Sequence, residues 1–96
     1  MNLLIAYDVN TTAPQGASRL RRVAKLCEGY GQRVQYSLFE VTCDRTSLAR
    51  LMISLEEVME PSLDSIRVYP LDRDGFSRVV RLGVRRELPE EHGWIL

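Results

Sequence analysis

Between Gln32 and Cys43 the apolar residues change parity half-way. Val34, Tyr36 and Leu38 fall on even positions, whereas Phe39, Val41 and Cys43 fall on odd ones. Side chains alternate across a strand, so one uninterrupted strand cannot bury both sets. The slip near Ser37 therefore marks a bulge or a junction between two strands. Read as a junction, it divides a segment rich in strand formers into two consecutive strands. That division fixes how the rest of the chain can be arranged.

Upstream, Asn2 to Val9 reads as a strand with a buried run from Leu3 to Ala6. Ser18 to Tyr30 reads as a helix, because Leu20, Val23, Ala24 and Cys27 follow the spacing of a single apolar face. Gly29 and Gly31 stop it. Arg19, Arg22 and, less squarely, Lys25 project away from that stripe and are expected to face solvent. Downstream, Asp44 to Met59 forms a second helix with Leu48, Leu51, Met52, Leu55, Val58 and Met59 on its buried side; Pro61 follows its end. Asp64 to Leu71 is a strand, Asp72 to Gly75 a turn, and Phe76 to Gly83 a last strand. The order is strand, helix, strand, strand, helix, strand, with one strand added. The expected fold is α+β, a ferredoxin-like βαββαβ sandwich with an extra C-terminal strand. Its helices cover one sheet face, so the bare face is expected to be hidden by a second copy.

Ninety-six residues allow one domain, taken as 1–83, followed by a charged tail at 84–96. The tail ends in Trp94-Ile95-Leu96, expected to dock on another surface. No run is long and apolar enough to span a membrane, and the N-terminus lacks a secretory pattern, so a cytoplasmic location is expected. Cys27 and Cys43 suit that compartment as reduced small hydrophobes. With His92 the single histidine, no zinc pattern arises.

Formal net charge is zero, yet it is unevenly spread. Arg19, Arg21, Arg22, Lys25, Arg33, Arg45 and Arg50 outnumber Asp8, Glu28, Glu40 and Asp44 in the first half, and the second half is net negative. All cations but Lys25 are arginines, whose planar fork suits phosphate oxygens; a GC-rich genome or ion pairing would produce the same bias. Asp8, at the end of the first strand and one loop before this basic helix, suggests a site for phosphate and a divalent cation. The competing role is an aspartate that organises the loop.

Three blocks together resemble the CRISPR-associated Cas2 family, the smaller of the two proteins of spacer acquisition. They are Ile5-Ala6-Tyr7-Asp8-Val9, the helix Arg19 to Lys25, and Tyr30-Gly31-Gln32-Arg33-Val34-Gln35-Tyr36-Ser37-Leu38-Phe39-Glu40. The stretch Asp64 to Pro70 is similar to the family's fourth strand, and nothing after Gly83 has a counterpart. The resemblance implies a homodimer joined in part through the last strand. It implies an endonuclease acting on single-stranded RNA or on DNA, with Asp8 as the catalytic residue and Mg2+ ligand. It also implies a bridge between CRISPR integrase subunits that holds protospacer DNA. Tyr7, Arg19, Arg22, Arg33, Ser37 and Phe39 match positions tied to activity or nucleic-acid contact. No histidine or second carboxylate near Asp8 offers a general base, so slow, metal-dependent cleavage is expected. Two other readings remain: a toxin-type messenger-RNA interferase of the same fold, and a ferredoxin-like regulatory dimer that binds no nucleic acid, which zero net charge favours.

Overall fold

A computed structural model describes residues 1–71 and 78–84. Five strands and two helices follow the expected order: β1 (Asn2–Asp8), α1 (Gly16–Glu28), β2 (Gly31–Gln35), β3 (Leu38–Thr42), α2 (Arg45–Val58), β4 (Ser65–Pro70) and β5 (Val80–Gly83). They form one sheet in the order β2-β3-β1-β4-β5, antiparallel throughout. The first four strands of that order make the ferredoxin-like sheet, and β5 extends it by pairing with β4 of its own chain. No helix among the described residues is long and apolar enough to cross a membrane.

The parity change has a physical form. The register between β2 and β3 shifts between Arg33 and Gln35, and Tyr36 and Ser37 form the turn. Phe39 and Val41 can thereby face the helices. They join Leu3, Ile5 and Tyr7 from β1, Ile66 and Val68 from β4, Val23 and Cys27 from α1, and Leu51 and Leu55 from α2. Burial of this set removes apolar surface from water at roughly 25 cal/mol per Å², the dominant favourable term in such a fold.

The helices differ from expectation in detail. α2 starts as expected: the Asp44 carboxylate accepts the Ser47 N–H at 2.7 Å and caps it. α1 begins at Gly16, two residues before the expected Ser18, and its N-cap Gln15 adopts a left-handed conformation with φ 66° and no side-chain cap. Gly16 permits this start, because a Cβ there would overlap the Asn10 carbonyl oxygen. Its buried line runs Gly16, Arg19, Val23, Cys27, so Arg19 is in the interior and not solvent-facing. The helical spacing allowed that line equally well; only the arginine's charge argued against it, and that charge is matched inside the fold. At the far edge, the expected Phe76–Gly83 strand is observed from Val80, while residues 76 and 77, like the Asp72–Gly75 turn, lie outside the described residues. Most of the tail, including Trp94-Ile95-Leu96 and His92, also lies outside them.

Candidate nucleic-acid and metal site

Strand alternation decides where Asp8 stands. Leu3, Ile5 and Tyr7 are buried against the helices, while Leu4 and Ala6 are half-buried and Asp8 is exposed on the opposite side. Asp8 thus ends β1 on the open face, in one row with Ser65 of β4 and Gly83 of β5. The β2–β3 turn is drawn up to the same strand end. The Tyr7 N–H donates to the Ser37 carbonyl at 3.0 Å, and the Tyr7 hydroxyl donates to the Tyr36 carbonyl at 3.1 Å. A groove of about 420 Å³ opens there, with Asp8, Arg21, Arg33, Tyr36 and Ser37 among its lining residues.

Beneath this groove the aromatic residues act as supports. The Tyr7 and Phe39 rings stack with centroids 6.1 Å apart, and both are core residues. The Arg33 guanidinium lies 5.3 Å above the Phe39 ring, a cation–π arrangement that aims an otherwise flexible side chain. Glu28 accepts a hydrogen bond from Arg33 at 3.3 Å, an exposed pair of small energetic weight. Burial pushes the Tyr7 phenol above its ordinary pKa, with the Arg33 charge working against it. Tyr7 is therefore a neutral hydrogen-bond donor near pH 7 and no ready base.

Of the residues singled out in the sequence, Asp8, Arg33 and Ser37 converge on the groove, with Tyr7 at its wall and Phe39 fully buried below. Arg22 lies apart, in a depression between the helices with Lys25 and Glu57. Arg19 is held inside: its Nε donates to Asp64 Oδ2 at 2.8 Å and its Nη1 to the Pro14 carbonyl at 3.1 Å. Arg21, one of the cations of the basic helix, and Tyr36, in the third family block, also line the groove. Arg21 flanks Leu20 and Ala24, which also line the groove, so the helical spacing carried its signal. Tyr36 is 93 % exposed, and its parity with Val34 and Leu38 had suggested an interior position. Asp64 was missed because its partner is 45 residues away in sequence.

Among the described residues Asp8 is the single carboxylate lining the groove, and no group of three or more His, Cys, Asp or Glu side chains among them could hold a metal ion. Mg2+ takes one or two carboxylates and fills its remaining positions with water and phosphate oxygens. The donor set fits such an ion when the groove also holds phosphate and a second Asp8 from a copy related by two-fold symmetry.

The sequence model of the family described as CRISPR associated protein Cas2 matches residues 1–79. A protein of Rhodospirillum rubrum named CRISPR-associated endoribonuclease Cas2 3 is 47% identical over 83 residues, 86% of this chain and 87% of that protein. A CRISPR-associated endonuclease Cas2 of Halalkalibacterium halodurans is 41% identical over 91 residues, 95% of either chain. Among solved structures, Streptococcus pyogenes Cas2, crystallised at pH 6.5, superposes with a TM-score of 0.71 at 44% identity, over 86% of this chain and 100% of that one. A hypothetical protein of Thermus thermophilus superposes with a TM-score of 0.66 at 31% identity, over 74% of this chain and 80% of that one.

Proposed function

The chain belongs to the CRISPR-associated Cas2 family, and on that footing we propose that it serves spacer acquisition as a homodimer. In this reading the dimer bridges integrase subunits, holds protospacer DNA and carries a magnesium-dependent endonuclease activity on DNA or RNA. The observation that supports it is the exposure of Asp8 on the open sheet face, beside a groove lined by Arg21 and Arg33. A copy packed on that face brings two Asp8 carboxylates toward one axis. The half-buried Leu4 and Ala6 on the same side of β1 give such a copy apolar surface to cover.

The two roles draw unequally on these residues. Arg21 and Arg33 offer fixed positive charge to phosphate oxygens, which positions a nucleic acid without reading its sequence. Tyr36 and Ser37 at the turn add an exposed ring and hydroxyl beside them. The Asp8 carboxylate would hold Mg2+, which when bound supplies a Lewis acid at the scissile phosphate. Among the described residues no histidine lines the groove and Tyr7 keeps its proton, so these residues offer no general base. The residues are better equipped to hold DNA than to cut it, and cleavage is expected to be slow.

The test is spacer-DNA integration by a CRISPR integrase from the same organism, with and without the chain, and with Asp8→Ala. Stimulation by wild type and variant alike is expected and would make the holding role independent of Asp8. Asp8→Asn is expected to abolish metal-dependent cleavage while leaving the dimer intact. Failure of the folded dimer to stimulate integration would overturn the bridging role.

A further inference from the structure

We propose that Arg19 and Asp64 are positioning residues whose buried pair fixes the backbone after β1 and so sets the place of the Asp8 carboxylate. The proposal rests on the reading of Asp8 as the working carboxylate. Asp64 is fully buried and its two oxygens are saturated. Oδ2 accepts from Arg19 Nε at 2.8 Å and from the Glu60 N–H at 2.9 Å; Oδ1 accepts from the Asn10 N–H at 3.0 Å and from Arg19 Nη2 at 3.4 Å. Arg19 in turn donates to two loop carbonyls, Pro14 at 3.1 Å and Asn10 at 3.4 Å. Asn10 is thus gripped at its N–H by the acid and at its carbonyl by the base.

Stability alone is a poor account of this arrangement. A buried ion pair loses much of its Coulomb attraction to desolvation, and a packed apolar pair does as well or better. An apolar pair could not accept two backbone N–H groups and donate to two carbonyls. The pair's chemistry matches the loop's unpaired backbone groups. The loop continues the grip, since the Asn10 side chain accepts from the Thr12 N–H at 3.1 Å, the Thr12 hydroxyl at 2.7 Å and the Ala13 N–H at 3.3 Å. On the other flank, Ser65, next to Asp64, is the ladder partner of Asp8. Asp8 therefore sits between two backbone points that one buried side chain controls. Support of this kind around a working group is worth roughly 10- to 100-fold in affinity or activity elsewhere.

The experiment uses the full chain labelled for NMR, with Arg19→Lys and Asp64→Asn against Leu55→Ala, a core variant on α2 that takes no part in the pair's hydrogen bonds. Arg19→Lys keeps the charge and removes the fork. The pair variants are expected to move the Asp8 carboxyl-carbon resonance and to speed amide exchange at Asn10, Thr12 and Ala13 about tenfold relative to Ile5. Leu55→Ala is expected to speed exchange broadly and leave Asp8 unmoved. Cleavage kcat should fall about tenfold in the pair variants, with KM for nucleic acid unchanged. An unmoved Asp8 resonance in the folded pair variants, or an equal movement in Leu55→Ala, overturns the proposal. Should both pair variants fail to fold, Gly16→Ala, which presses on the Asn10 carbonyl from the helix side, must move the same resonance or the proposal falls. If Asp8→Asn cleaves like wild type, the catalytic reading of Asp8 fails, while the resonance still decides whether the pair positions it.

Discussion

Asp64 is a carboxylate fully enclosed by protein, and its surroundings decide its charge. Burial pushes its pKa up, but the Arg19 hydrogen bond, the Glu60 and Asn10 N–H groups and the Arg19 charge together hold it below the usual 3.8. A carboxyl with a lower pKa in the folded state adds stability above the unfolded value and loses it as pH falls through the folded one. Urea unfolding is therefore expected to show stability falling as pH drops below about 5 and through the lowered folded value. Asp64→Asn should flatten part of that fall; Asp44, lowered by its Ser47 hydrogen bonds, keeps its own share. Cys27 offers a second expectation. Burial pushes its thiol up to about 12, so it carries no thiolate near pH 8. Mass spectrometry after iodoacetamide treatment should find native Cys27 unlabelled and labelled once urea unfolds the chain. At this scale Asp8 was legible, because an acid ending an apolar strand is conspicuous. The Arg19–Asp64 pair was not: its members lie in different elements, and an arginine on a helix suggests solvent until its partner is known.

The β2–β3 hairpin was the most legible of the elements. Its parity change left no way for Val34 and Phe39 to share one face of one straight strand, and the Tyr36–Ser37 turn falls where the apolar pattern breaks. The start of α1 was the least legible, since no Ser, Thr, Asp or Asn caps it. Its position is set by tertiary contact: the Gly16 N–H donates to the Ala13 carbonyl at 3.0 Å, and the missing Cβ lets the loop close on Asn10. Gly16→Ala is expected to cost about 1–3 kcal/mol through overpacking against backbone that has nowhere to yield. Thermal unfolding should show the midpoint falling by roughly 4–8 °C per kcal/mol in a domain this small. An unchanged midpoint would mean that the loop relaxes at no cost.

Zero net charge conceals a local concentration of cations. Arg21 and Arg33 line the groove at the Asp8 end of the sheet, where Asp8 is the one carboxylate among the described lining residues. Long-range attraction to DNA should be weak and local contact decisive. With two arginines from each copy on phosphates, affinity for duplex DNA is expected to fall on the order of a hundredfold between about 50 and 200 mM salt. Arg21→Ala with Arg33→Ala should flatten that dependence in a fluorescence-anisotropy titration. A wild-type affinity indifferent to salt would point away from the groove as the contact. The order of elements was readable from periodicity, and with it the sheet order; the side of the sheet on which the arginines gather was not, because it depends on how α1 rotates over β1.

The row Asp8, Ser65, Gly83 crosses three neighbouring strands at one end of the sheet. Gly83, with φ +88°, turns the chain there, and the Val84 N–H is fastened to the Asp64 carbonyl at 2.8 Å. Two strand spacings, roughly 10 Å, separate Asp8 from Gly83 along this row. A displacement of the backbone at Gly83 or Val84 is thereby felt at Asp64 before it reaches the carboxylate two strands away.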